Sequence, residues 1–264
     1  MKFQFVKNRG TDLERDPALP CLWRLLSAVS NYTYVGSELA IFEEATNWKR
    51  YFAEHLRSYL TGEILEVGAG IGANTAILTN AAVTRWVCLE PDFALVETLR
   101  RKAGNQRRTE VFHGCLAGLP AEELFDAILY IDVVEHIEDD ASELTRAAGH
   151  LRLGGALVVL APAHMALYSE FDAAIGHFRR YSKASLSALR PPGTAVEKLI
   201  YLDSLGLLTS AGNRLILRRS MPTQRQIWFW DRWLVPGSRW VDRLTGNRVG
   251  KSVMGVWRKT SDLE

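Results

Sequence analysis

Cysteine is scarce in this chain: three residues, Cys21, Cys88 and Cys115, scattered and never spaced C-x-x-C. Such an odd, unpaired set excludes a disulfide framework or a cysteine-based zinc site, and no metal is expected. Long apolar runs are also missing. The most apolar stretch, residues 153–163, is about half the length that crosses a bilayer. The opening MKFQFVKNRGTDLERDP turns polar too soon to hold the apolar core of a signal peptide. There is no repeat, no low-complexity tract and little excess charge. The 264 residues carry a formal net charge of +2, with 47% apolar and 23% charged residues, ordinary globular usage. A soluble, cytoplasmic protein is expected, long enough to bury a core without disulfide or metal staples.

The small net charge hides an asymmetry. Residues 1–175 hold 16 Lys/Arg and 24 Asp/Glu, whereas residues 176–264 hold 16 Lys/Arg and 6 Asp/Glu. A basic C-terminal third points to an anionic partner (a phosphorylated or carboxylated substrate, a membrane surface, or nucleic acid) or to a solvated basic face.

Between residues 39 and 60, Trp48, Phe52, Leu56 and Tyr59 recur at helical spacing, and Thr61-Gly62 stops the helix. Short apolar runs at 63–67, 86–89, 109–113, 127–131 and 156–160 then alternate with helical stretches such as 93–102 and 140–151. Alternation of this kind builds a mostly parallel sheet covered on both faces. Beyond the break Pro191-Pro192-Gly193, strands are expected at 195–202 and 252–258. The expected fold is α/β, a Rossmann-like, seven-stranded, doubly wound sheet. Residues 1–60 form an N-terminal helical cap, 61–202 and 251–264 the sheet domain, and 203–250 a Trp/Arg-rich helical insertion acting as a lid.

The segment Ile64-Leu65-Glu66-Val67-Gly68-Ala69-Gly70-Ile71-Gly72 reads as a buried strand entering a G-x-G-x-G turn before a helix. Glycines there let the backbone turn tightly and approach a ligand. Glu90, twenty residues after Gly70, closes the next strand, where a carboxylate can accept both hydroxyl hydrogens of a ribose. Its alternative role is to start the following helix beside Pro91. Dinucleotide sites space their glycines G-x-G-x-x-G and bring pyrophosphate to the turn. Glu66 would repel a phosphate but suits an ammonium, directly or through water. S-adenosylmethionine, with an amino-acid end and no phosphate, fits these constraints.

Across residues 60–165 the chain resembles the class I S-adenosylmethionine-dependent methyltransferases. E-V-G-A-G-I-G is similar to that family's first motif, Cys88-Leu89-Glu90-Pro91-Asp92 to its ribose motif, and residues 125–137 to its fourth strand and following loop. The resemblance implies that the loop Gly68, Ala69, Gly70 and Gly72, with Glu66, holds the methionine end. It places Glu90 and Pro91 at the ribose and Asp132 and Val133 beside the cofactor. Many members carry an acid after the third strand for the adenine amine. Here that position is Cys115, which leaves the adenine to backbone groups or to Leu116.

A hydroxyl acceptor needs a base, and histidine is the natural one near neutral pH. His55, His113 and His150 read as structural. His136 follows Glu135 in the loop after the fourth strand, where sites of parallel sheets open, and both are acceptor-side candidates. The segment after the fifth strand, P-A-H…L-Y-S…D…G-H-x-R-R-Y, resembles a set of bacterial methyltransferases of polysaccharide or secondary-metabolite pathways. It nominates His164 or His177 as base, with Tyr168, Arg179 and Tyr181 orienting the acceptor. The competing account is a structural latch of Asp172, His177 and Arg179.

Five of the eight tryptophans (Trp228, Trp230, Trp233, Trp240 and Trp257) fall in the last 37 residues, interleaved with arginines. Helical spacing groups Ile227, Trp230, Leu234 and Trp233 on one face and positions 228, 232 and 235 on another. Tryptophan with arginine suits a membrane interface, an amphipathic acid or stacked bases, and equally a lid packed on the sheet domain or on a second subunit. No nucleic-acid-binding module is visible. The expected activity is methyl transfer to an oxygen, hydroxyl or carboxylate, of a small or lipid-linked acceptor of amphipathic or anionic character. N- or C-methylation, a nucleotide-sugar or NAD-dependent enzyme, and a non-enzymatic S-adenosylhomocysteine-binding module are the alternatives.

Overall fold

The computed structural model describes residues 33–36, 39–104, 108–212 and 222–261. Cys21, most of the expected cap and part of the expected insertion lie outside these residues. The seven strands are β1 (Gly62–Val67), β2 (Val83–Glu90), β3 (Thr109–His113), β4 (Phe125–Ile131), β5 (Leu151–Pro162), β6 (Thr194–Leu202) and β7 (Ser252–Lys259). They form one sheet in the order β3-β2-β1-β4-β5-β7-β6. The first five strands run parallel, and β7 is antiparallel to both β5 and β6. Every expected strand is present.

The central strands are buried over most of their length because helices cover both faces, which is why they read as apolar runs. One face packs Ile64, Trp86, Leu129, Val158 and Val256 under helices from both ends of the chain. These are α1 (Leu39–Glu43), α2 (Thr46–Leu56), α3 (Thr75–Leu78), α4 (Phe93–Ala103), α8 (Ser204–Gly212), α9 (Gln224–Phe229) and α10 (Val235–Thr245). The opposite face packs Leu65, Tyr130, Leu157 and Trp257 against α5 (Asp140–Gly149) and α7 (Lys183–Ala188), with α6 (Glu170–Ala174) nearer the strand ends.

The single helix expected over residues 39–60 is instead two helices and a short 3₁₀ turn. The break is made by tertiary structure. The buried Asp231 carboxylate accepts the Trp48 N–H at 2.8 Å and the Asn47 N–H at 3.2 Å, capping α2 from 184 residues away. Tyr51 donates to Asp242 at 2.6 Å, and the Trp48 and Trp230 rings lie 5.9 Å apart. The N-terminal helices and the 203–250 segment are therefore fastened into one layer. The helix expected after the glycine turn is only the single turn α3.

A wide π turn, Trp230–Leu234, joins α9 to α10. Ile227, Trp230 and Val235 are buried, whereas Trp233 is exposed. The expected face pairing of Trp233 with Trp230, and of Val235 with Trp228, is thus corrected. The π turn inserts an extra residue per turn and shifts the helix phase.

Candidate functional site

The parallel strands end on one edge, and a cavity of about 1490 Å³ opens there. Gly68, Ala69 and Gly70 line one end with Glu90 and Pro91. Gly68 has φ +66, and a Cβ on it would come 2.7 Å from Val133 Cγ2, so only glycine brings the turn this close to the loop after β4. The turn is tied to β2: Gly68 and Ala69 donate to the Leu89 carbonyl at 2.8 and 3.1 Å, and Gly70 donates to Glu90 Oε2 at 2.8 Å. Glu90 Oε1 accepts from the Asp92 N–H at 2.9 Å, and burial pushes its carboxyl up to about 7.

Four positions expected at the cofactor do not line the cavity. Glu66 is buried behind the turn, where its Oε2 accepts from Thr75 Oγ1 at 2.6 Å and from Trp86 Nε1 at 2.9 Å. It braces the loop, and burial lifts its carboxyl to about 7. Gly72 also lies behind the cavity lining, packed so that a Cβ would meet Leu99 Cδ1 at 2.5 Å. Cys115 points to solvent and Leu116 is fully buried in the second core, so neither lines the cavity.

Asp132, Val133, Glu135 and His136 also line the cavity. Asp132 follows β4 with φ 54, a left-handed backbone that turns its side chain into the opening. Its side chain is exposed to the cavity, and desolvation by the surrounding protein raises its carboxyl to about 6 against the opposing pull of His177, Lys251 and Lys49. Glu135 is fully buried, and neither carboxylate oxygen has a hydrogen-bond partner. Burial, with the Asp132 charge added, drives its pKa well up.

His177 is held from both sides. Its Nδ1 is 3.0 Å from Asp172 Oδ1, and its Nε2 is 3.8 Å from Glu135 Oε1. Asp172 is itself gripped by Arg180 through two bonds, at 2.8 and 3.0 Å, and by the Ser169 N–H and hydroxyl at 2.8 and 2.9 Å. Burial would raise the Asp172 carboxyl, but the bonds from His177 and Arg180 hold it far below its usual value. An ionised Asp172 keeps the proton on Nδ1 and leaves Nε2 as the acceptor. His136 packs edge-on to His177 at 4.5 Å, and burial lowers it to about 4. Among the described residues, Glu135, His136 and His177 offer ligand atoms within 4.8 Å of one another, close enough to gather a divalent cation.

The expected latch exists with a different arginine. Backbone pairing of Tyr181 with Ala163 makes this segment extended, so side chains alternate. Arg179 and Tyr181 both reach Asp140, at 2.7 and 2.6 Å, outside the cavity, while Arg180 turns inward to Asp172. Arg179 and Tyr181 are thus removed from the acceptor side. His164 is removed as well: its Nε2 meets the Gly250 carbonyl at 3.0 Å, its ring stacks on Tyr201, and it does not line the cavity. Tyr168 does line it, with its hydroxyl on the His177 carbonyl at 2.6 Å.

Tyr34, Lys49, Arg180 and Lys251 line the cavity without having been anticipated. Arg180 is set apart from Arg179 by strand alternation in H-F-R-R-Y, which the pairing of Tyr181 with Ala163 reveals. Burial lowers Lys49 to about 8 and also lowers Lys251, whose ammonium sits 3.9 Å over the Trp230 ring. Tyr34 crosses the mouth, its N–H on Asp92 at 2.7 Å and its ring 5.8 Å from His136.

Residues 65–159 match the family model described as a methyltransferase domain. The matched residues include the glycine turn, Glu90 and the loop after β4, the same segments on which the sequence resembles the class I S-adenosylmethionine-dependent methyltransferases. A Mycolicibacterium smegmatis protein named "Probable S-adenosylmethionine-dependent methyltransferase" is 29% identical over 154 residues, 57% of this chain and 56% of that protein. The chain therefore spans little more than half the length of that relative. Among solved structures, coclaurine N-methyltransferase bound to N-methylheliamine and SAH aligns with TM-score 0.55 at 14% identity, covering 81% of this chain and 72% of that one. The [4+2]-cyclase SpnF aligns equally well, with TM-score 0.55 at 14% identity over 85% and 94%. One fold thus hosts different chemistry, and the acceptor side has to be argued from the residues.

Proposed function

We propose that this protein transfers a methyl group from S-adenosylmethionine to an oxygen of a small, amphipathic or anionic acceptor, lipid-linked acceptors included. The observation that carries this is one cavity lined both by the glycine turn with Glu90 and by the Asp172–His177–Glu135 group. Bound S-adenosylmethionine supplies an electrophilic methyl on its sulfonium, open to in-line attack. Gly68, Ala69 and Gly70 give the amino-acid end a close backbone approach, and Glu90 and Pro91 receive the ribose. Asp132 and Val133 flank the reacting centre. His177 Nε2 takes the acceptor proton while Asp172 fixes the imidazole and balances its charge. Lys49 and Lys251 favour an anionic acceptor, and Trp48, Phe52 and Trp230 give it an apolar wall. The helices of the 203–250 segment serve as the lid over it.

Glu135, whose buried carboxylate accepts no hydrogen bond, beside Asp132 favours a second reading, a cationic amine acceptor and N-methylation. Incubating the protein with radiolabelled donor and an extract of its source cells, then identifying the labelled atom, separates the two. For a hydroxyl acceptor, His177→Ala should abolish transfer with S-adenosylhomocysteine binding intact. Label on nitrogen would refute the oxygen reading, and full activity in His177→Ala with label on a hydroxyl oxygen would refute His177 as its base.

A further inference from the structure

We propose that the outward face of the run Gln224–Thr245 docks on an anionic lipid bilayer. A solvated helix face is ordinarily polar. This one exposes Trp228, Phe229, Trp233, Trp240 and Leu244 at 52–86% of their surface, while Ile227, Trp230 and Val235 face the core. Large apolar side chains gathered on one exposed element mark an interaction surface. The π turn contributes by rotating Trp233 outward.

Charge selects the partner. The acids of this run, Asp231 and Asp242, are both buried and bonded inward to Asn47, Trp48, Tyr51, Asp203 and Ser204. Its outward charges are arginines: Arg225, Arg232 and Arg243, with Arg239 paired to Glu54. Arg232 and Arg243 lie over the rings of Trp233 and Trp240, both at 5.9 Å. Aromatic rings for the headgroup layer and guanidinium groups for lipid phosphates are what an interfacial helix on an anionic surface requires. A second copy of this face is a poorer fit, because it would press arginines against arginines. The surface joins the site directly, since Arg225 and Phe229 also line the cavity. A docked protein would present that cavity to lipid-borne acceptors, which is the part of the inference that rests on the proposed activity.

Sedimentation of the full chain with vesicles tests the docking without donor or acceptor. Vesicles of phosphatidylcholine with about one-third phosphatidylglycerol should pellet the protein, and pure phosphatidylcholine should not. Added salt should release it. Trp233→Ser/Trp240→Ser should weaken vesicle binding at least tenfold while leaving S-adenosylhomocysteine affinity unchanged, since neither side chain lines the cavity. Arg232→Glu/Arg243→Glu should do the same without removing an apolar group. The proposal is overturned if the wild type ignores anionic vesicles, if both variants bind them as it does, or if light scattering shows a dimer that the variants lose while vesicle binding is absent. Failure of methyl transfer with intact vesicle binding would refute only the activity.

Discussion

Glu90 sits at the ribose end of the proposed donor site with its carboxyl raised to about 7 by burial, although the Asp92 and Gly70 N–H groups favour the ionised form. Only the ionised carboxylate accepts from both backbone groups and from two further hydroxyls, so a proton competes with the ligand. Affinity is nearly complete above about pH 8 and approaches a tenfold fall per unit below about pH 6. At about pH 5.5 only about 3% of Glu90 is ionised, so the dissociation constant for S-adenosylhomocysteine should rise about thirtyfold from its value near pH 8.5, equivalent to about 2 kcal/mol. Titration calorimetry across that range measures it. Glu90→Ala should bind more weakly by about 1.5–3 kcal/mol at the alkaline end and lose the slope. Glu66→Gln is the control, because Glu66 is raised to a similar value but lies behind the loop. A wild-type affinity independent of pH, or a slope that vanishes in Glu66→Gln and persists in Glu90→Ala, would refute the assignment.

Gly68→Ala should lower the melting temperature and cofactor affinity, since φ +66 costs an L-residue about 1–2 kcal/mol and the new methyl meets Val133. Adding Val133→Ala should restore part of the loss, and a silent single mutant would contradict the loop geometry. Asp172→Asn should destabilise the fold by about 3–5 kcal/mol by leaving Arg180 without its buried partner. Because the folded Asp172 is held below its unfolded value, its contribution is present above about pH 4 and disappears as acid protonates it. Denaturant midpoints in acid should therefore fall for the wild type and stay flatter for the variant. His164→Gln should cost stability through the Gly250 contact yet retain methyl transfer, and loss of turnover in a folded variant would return His164 to the site.

The seven strands, the glycine turn and Glu90 were legible in the chain because each is written locally. Apolar runs bounded by turn residues mark strands buried on both faces, and a G-x-G-x-G after such a run has few uses. The histidines were ambiguous for the opposite reason. His164 and His177 stand in similar sequence surroundings, and what separates them is a contact partner, Gly250 for one and the Asp172–Arg180 pair for the other. Arg180 over Arg179 followed from strand alternation, which becomes visible only once Tyr181 is known to pair with Ala163.

Sequence by itself therefore determined the sheet, the glycine turn with Glu90 after β2, and the wealth of tryptophan and arginine near the C-terminus. Tertiary structure alone decided which distant side chains gather with them in the cavity. Lys49 and Lys251 meet across the length of the chain at one cavity, and Asp231 caps a helix 184 residues away. It also decided which tryptophans face outward. Contacts between distant segments depend on how helices pack over the sheet, and no local periodicity records that packing.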